Sequence, residues 1–123
     1  MAETKLEGSC HCGNVKFSVS EAPEWLTRCN CSICRRLGAL WAHVAIDSVH
    51  LTCGPEGTIS YVHGDRTLAF HTCKQCGCTS HWENLIPEQH TNMAVNALLC
   101  PDDEMSCYRI RHFDGAETWN FLD

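Results

Sequence analysis

The chain has 123 residues, of which 44% are hydrophobic and 20% are charged, a balance that excludes a disordered chain and is typical of one globular domain. Its formal net charge of −6 makes it a poor partner for nucleic acid or an anionic membrane surface, and no run of about 18 apolar residues predicts a membrane-spanning helix. Eleven cysteines indicate either a disulfide framework or bound metal.

The cellular compartment decides between disulfides and metal. The first ten residues, MAETKLEGSC, contain no apolar stretch of the kind that signal peptides have. We therefore expect a cytoplasmic protein. In a reducing compartment, cysteines serve as metal ligands or catalysts more often than as disulfides.

Short segments with alternating or apolar residues recur along the chain, with turn residues between them. They are predicted as strands over residues 15–19, 41–46, 58–63, 67–72, 93–99 and 108–113. A short helix is predicted over residues 32–37, with the hydroxyl of Ser32 as its N-cap. Because no repeat or linker interrupts this pattern, we predict a single domain over residues 1–123 that is mainly β and antiparallel, with one or two helical turns.

Two cysteine pairs have the features of a structural zinc site. The segments C-H-C-G at 10–13 and C-K-Q-C-G at 73–77 each end in glycine, which allows the positive φ that turns backbone N–H groups toward the sulfurs. Four thiolates complete a tetrahedral site and leave it closed. The favoured ligand set is therefore Cys10, Cys12, Cys73 and Cys76.

A third group, C-N-C-S-I-C, supplies three further cysteines, which are Cys29, Cys31 and Cys34. Three protein ligands leave one position of a tetrahedral zinc ion open, as in catalytic sites. Three thiolates donate much charge to the metal, so such a site suits a soft ligand from outside, such as a thiol, better than the generation of hydroxide.

Spacing alone leaves other ligand sets open. Cys10 and Cys12 could join the three-cysteine group, with Cys78 completing the other site. A fourth protein ligand could close the three-cysteine site, and the candidates for it are His43, His71, His81 and Cys78. An iron–sulfur cluster is a weaker alternative, because the spacings differ from the usual ferredoxin runs.

Together, the three motifs resemble the glutathione-dependent formaldehyde-activating enzyme family. The resemblance implies a β-tent fold, a set of folded-over antiparallel sheets stabilised by zinc. It also implies two zinc ions per chain, one structural and held by Cys10, Cys12, Cys73 and Cys76, and one catalytic and held by Cys29, Cys31 and Cys34. The implied reaction is a carbon–sulfur lyase step that joins glutathione and formaldehyde reversibly into S-hydroxymethylglutathione.

Two further features bear on this chemistry. Glutathione carries two carboxylates, and Arg35 and Arg36 are candidates to bind one of them, although a solvated charge pair is an equal alternative. His43, His71 and His81 are candidate proton donors to the adduct oxygen. The competing interpretations are a zinc-stabilised binding module, a glutathione carrier without turnover, and a redox-sensing or zinc-buffering protein.

Overall fold

The computed structural model describes residues 3–123, most of which belong to β-strands. Strands and helices are numbered separately in chain order. The strands are β1 Leu6–Ser9, β2 Val15–Val19, β3 Leu26–Cys29, β4 Trp41–Ala45, β5 Val49–Cys53, β6 Thr58–Tyr61, β7 Leu68–Cys73, β8 Thr79–Asn84, β9 Asn92–Asn96, β10 Ile110–Asp114 and β11 Asn120–Phe121, and the helices are α1 Ser32–Leu37 and α2 Asp102–Met105.

The strands form a small and a large sheet. The small sheet has the order β1-β2-β5, and the large sheet has the order β11-β10-β3-β4-β9-β8-β7-β6. Among the strands of residues 3–123, pairing is antiparallel except between β10 and β3, which run parallel. This one parallel pair brings the C-terminal segment beside β3, whose last residue is Cys29.

The two sheets share one hydrophobic core. Strand β2 alternates buried and more exposed positions, as the sequence pattern predicts for a half-buried strand. Its Phe17 and Val19 pack in the same cluster as Leu26, Trp41 and Val95 of the large sheet. A separate, smaller cluster forms around buried Cys10, Val15 and Cys73, where the turns of the two sheets meet.

The mainly β, antiparallel prediction is confirmed, but two local expectations are wrong. The N-cap of α1 is Cys31 and not Ser32, because the Cys31 sulfur accepts the N–H of Cys34. The strand expected over residues 93–99 stops at Asn96. The Asn96 side chain accepts the N–H of Leu98 and begins a 3-10 turn over Ala97–Leu99.

Within residues 3–123, no helix is both long enough and apolar enough to cross a membrane.

Candidate metal centres and the adjoining cleft

The first candidate metal centre joins two turns that are distant in sequence. Cys10 and Cys12 lie in the turn between β1 and β2, while Cys73 ends β7 and Cys76 lies in the turn before β8. Their four sulfurs all lie within 4.8 Å of one another. The Cys12 sulfur is 3.7 Å from that of Cys10 and 3.6 Å from that of Cys73.

Backbone N–H groups point at these sulfurs. Cys73 Sγ accepts the N–H of Gln75 at 3.3 Å and of Cys76 at 3.4 Å, and the N–H of Cys76 contributes most to lowering the pKa of Cys73. The N–H of Cys12 is the main cause that lowers the pKa of Cys76 to about 5. Gly13 and Gly77 have φ of 84° and 80°, the left-handed conformation that these turns need.

The donor set and its spacing fit a tetrahedral zinc ion. Four sulfurs about 2.3 Å from one zinc lie about 3.8 Å from each other, close to the sulfur separations found here. The N–H groups stabilise the thiolate form that a metal requires. The turns holding Cys10, Cys12, Cys73 and Cys76 can thus hold a metal ion, as their sequence motifs predict.

The second candidate centre lies where β3 passes into α1. Cys29 is the last residue of β3, Cys31 caps α1 and Cys34 lies within it, and their three sulfurs are within 4.8 Å of one another. A hydrogen bond from the Cys34 thiol is the main cause that lowers the pKa of Cys29 to about 6. The indole N–H of Trp41 donates to Cys34 Sγ at 3.3 Å.

Gly115 packs directly against the three-cysteine centre, a contact that the sequence analysis missed. A Cβ added at Gly115 would lie 2.8 Å from Cys29 Sγ and 3.1 Å from Cys31 Cβ. Asn30 fixes this approach, since its amide donates to buried Asp114 and its oxygen accepts the N–H of Ala116. The only sequence signal was the Asp114-Gly115 turn.

The three cysteines line a cleft of about 860 Å³ on one face of the large sheet. Strand pairing puts Thr27, Trp41, His43, Phe70 and Trp82 on this face. Seven aromatic residues other than histidine line the cleft, and they include all four tryptophans of the chain: Trp25, Trp41, Phe70, Trp82, Phe113, Trp119 and Phe121. The cleft therefore combines an aromatic lining with the three cysteines.

The four candidate fourth ligands occupy different positions. Among residues 3–123, no further cysteine, histidine or carboxylate joins the Cys29, Cys31 and Cys34 cluster. His43 lines the cleft, where loss of contact with water lowers the pKa of its imidazole. The imidazole is therefore neutral at pH 7. His71 and His81 stack on each other at 4.6 Å on the opposite face of the sheet, and Cys78 packs beside the four-cysteine centre.

The two candidate arginines lie outside the cleft. The guanidinium of Arg36 donates to the carbonyl of Ser32 on its own helix. Arg35 borders a smaller pocket of about 260 Å³, which shares Cys29 and Cys34 with the cleft. A carboxylate that met Arg35 would therefore approach Cys29 and Cys34 through this smaller pocket, which also shares Phe113 with the cleft.

Comparisons with known proteins agree on one family. The sequence model of the family described as "Glutathione-dependent formaldehyde-activating enzyme" matches residues 5–112. A Halomonas elongata protein, named as a candidate glutathione-dependent formaldehyde-activating enzyme, is 62% identical over 79 residues, which are 63% of this chain. The chain spans about half of that relative's length, since the match covers 46% of it.

A solved structure has the same fold. A Rhodobacter sphaeroides protein known from its crystal structure superposes with a TM-score of 0.64 at 31% sequence identity, over 76% of this chain and 85% of its own.

Proposed function

The chain belongs to the glutathione-dependent formaldehyde-activating enzyme family, and from this premise we propose that it is a zinc-dependent carbon–sulfur lyase. Its substrate would be the adduct of a thiol with an aldehyde, glutathione and formaldehyde being the pair in the family's name. One observation carries the proposal: Cys29, Cys31 and Cys34 lie close enough to share a metal, have no fourth protein ligand among residues 3–123, and open onto a cleft.

The proposal assigns two zinc ions to one domain over residues 1–123. Cys10, Cys12, Cys73 and Cys76 would hold a closed structural ion, and Cys29, Cys31 and Cys34 would hold the other. When bound, the second ion would keep a substrate thiol in its thiolate form at neutral pH. The backbone N–H of Cys31, 3.5 Å from Cys29 Sγ, and the indole of Trp41 stabilise the protein's own thiolates for this task.

The remaining residues would hold the reactants and move one proton. In the forward direction, the substrate sulfur bonds to the carbonyl carbon, the C=O π pair moves to oxygen, and that oxygen takes up a proton. The cleft keeps the carbonyl compound close to the sulfur, which supplies proximity. His43 lines the same cleft and is the histidine proposed to relay the proton. Arg35, at the smaller pocket, is the arginine proposed to meet a carboxylate of the thiol.

A carrier that binds the adduct without turnover is the second candidate function. It is favoured by the groups outside the cluster that donate hydrogen bonds to the three sulfurs, which are backbone N–H groups and the Trp41 indole. None of these groups releases a proton at neutral pH. The donors that contact the three sulfurs therefore support metal binding but cannot act as acid catalysts.

Native mass spectrometry of the reduced, zinc-loaded chain, with and without glutathione, tests the site. We expect two zinc ions and one glutathione adduct, and we expect Cys31→Ser to lose one zinc and the adduct. Cys53→Ser, at an exposed cysteine of β5 outside both clusters, is the matched control and should keep both zinc ions and the glutathione adduct. Two zinc ions without an adduct would contradict the open site.

Exchange NMR on glutathione, formaldehyde and S-hydroxymethylglutathione at equilibrium separates the lyase from the carrier. The lyase accelerates exchange at protein concentrations far below those of the reactants, and Cys31→Ser abolishes the acceleration. A carrier binds the adduct but leaves the exchange rate at its uncatalysed value.

A further inference from the structure

The lining of the cleft differs in character from the small, polar carbonyl compound in the family's name. Formaldehyde has two heavy atoms, whereas the cleft has a volume of about 860 Å³ and is lined by seven aromatic residues other than histidine. Pockets of this size and composition usually bury most of a much larger, apolar ligand. Formaldehyde alone would fill little of this volume and would leave the exposed ring of Trp119 facing water.

The charged residues that line the cleft disfavour an anionic group in it. Glu21, Glu24 and Asp65 are the charged residues that line it, and no lysine or arginine does so within residues 3–123. A carboxylate here would face like charges, which is unfavourable. The Arg111 guanidinium next to the cleft is stacked on the rings of Trp25 and Phe121, 4.3 and 4.0 Å from their centroids. The carboxylates of a thiol such as glutathione therefore belong outside the cleft, and the cleft itself is left to the carbonyl part of the adduct.

Trp119 is placed at the cleft in a way that packing does not explain. It is 71% exposed and has a φ of 60°, a left-handed conformation that a bulky side chain rarely adopts. The backbone N–H of Trp119 donates to the backbone carbonyl of Asp114 at 2.7 Å. The Trp119 ring lies edge-on to the Phe113 ring, with the two centroids 5.1 Å apart. These contacts hold a large aromatic surface in solvent beside the cleft. Such strain is typical of functional positions.

We propose that the carbonyl substrate is an uncharged aromatic aldehyde, whose ring lies in the aromatic cleft beside Cys29, Cys31 and Cys34. This inference rests on the proposed function and names its substrate class. In the cleaving direction, the S–C bond breaks and its electron pair goes to sulfur. The hydroxyl proton passes through His43 to water as the C=O bond forms, so that a thiolate and an aromatic aldehyde are released and no oxidant is needed.

Two stable thioethers test the proposal without any turnover. S-Benzylglutathione mimics the adduct of benzaldehyde, and S-methylglutathione mimics that of formaldehyde. Both carry the same carboxylates, so their difference isolates the ring. Because all four tryptophans line the cleft, quenching of tryptophan fluorescence in the zinc-loaded full chain reports binding. We expect S-benzylglutathione to bind at least about tenfold more tightly. Equal affinities, tighter binding of the methyl compound, or no binding of either would overturn the proposal.

Variants connect the preference to the cleft. Trp119→Ala should lower the ratio of the two affinities at least about threefold, and Trp119→Phe, which keeps a ring, should retain most of it. Ile59→Ala removes an apolar side chain that is 57% exposed and outside the cleft, and it should leave the ratio unchanged. A ratio that is the same in Trp119→Ala as in the unchanged chain would contradict the assignment.

Failure of this inference is distinguishable from failure of the proposed function. If glutathione binds and its binding is lost in Cys31→Ser, while the benzyl compound has no advantage, only the aromatic substrate class is wrong. If glutathione does not bind to the zinc-loaded chain, the proposed thiol site itself is wrong.

Discussion

Gly115 determines how closely the C-terminal segment can approach the three-cysteine centre. Its missing side chain leaves room for Cys29 Sγ, which would otherwise lie 2.8 Å from a Cβ. Backbone freedom is not the reason for glycine here, since its φ lies outside the left-handed region. The close packing itself requires the smallest residue.

Gly115→Ala should therefore weaken metal binding at Cys29, Cys31 and Cys34 by at least about tenfold, because the new methyl group must displace a ligand sulfur. Competition with a chelator on the variant measures this loss, and the four-cysteine centre should be unaffected. Ala116→Ser, at the exposed neighbouring position, is the control and should change neither site. Unchanged affinity in Gly115→Ala would show that the segment moves aside.

Thr27 provides a second test, in which a substitution is expected to stabilise the chain. A buried hydroxyl without a partner costs stability, so Thr27→Val should raise the free energy of unfolding by about 1 kcal/mol in urea denaturation. Thr72→Val is the matched contrast, because the Thr72 hydroxyl is 2.9 Å from that of Thr79 and its loss should destabilise the chain. Destabilisation by Thr27→Val would mean that the hydroxyl has a partner in solution.

At the level of elements, the loop after β10 is fastened to the loop after β3. Asp114 accepts hydrogen bonds from the Asn30 amide at 3.0 Å and from the hydroxyl and N–H of Thr118. These hydrogen bonds lower the pKa of the Asp114 carboxyl, and the one from Asn30 contributes most. The loop that carries Gly115 is thereby fixed against Cys29 and Cys31.

Asp114→Ala should lower the free energy of unfolding by about 2 kcal/mol at pH 7 and weaken metal binding at the three-cysteine centre. Because folding lowers the pKa of Asp114, its stabilisation is complete above the ordinary carboxyl pKa of about 3.9 and is lost as pH falls through the lower folded value. Denaturation at several pH values should thus show the two chains converging in acid. A constant difference would contradict a role for the ionised carboxylate.

Much of the element pattern could be predicted from the sequence, because it depends on local signals. The alternation in Val15–Val19 and the short apolar run that starts at Trp41 correspond to β2 and β4, and residues 32–37 form α1. The parallel pairing of β10 with β3 could not be predicted, since local periodicity carries no information on which distant strands meet. The cleft depends on that pairing, so its Phe113, Trp119 and Phe121 were missed with it.

For the whole molecule, the four-cysteine centre links the two sheets. It joins the turn after β1 in the small sheet to the turn after β7 in the large sheet. Cys73 is 1% exposed and accepts two backbone N–H groups, whereas the three-cysteine centre lies at the open cleft. The proposed function therefore assigns the two centres different roles, one in stability and the other in ligand binding.

Cys73→Ser should lower the free energy of unfolding by more than about 4 kcal/mol, because it removes a ligand of the metal proposed to join the two sheets. Cys31→Ser should lose one metal but keep most of the stability. Thermal denaturation, with the metal content measured on the same samples, compares the two variants. Equal destabilisation by both would contradict the division into a structural and an open site.

The central claim is that the metal at Cys29, Cys31 and Cys34 has an open position for an external thiol. Cadmium-113 NMR of the cadmium-substituted chain tests it most directly, because each site gives its own resonance and the shift reports the number of sulfur ligands. We expect two resonances, and glutathione should move only the one that is absent in Cys31→Ser. If added thiol moves neither resonance, the three-cysteine centre is closed and the proposed chemistry does not occur there.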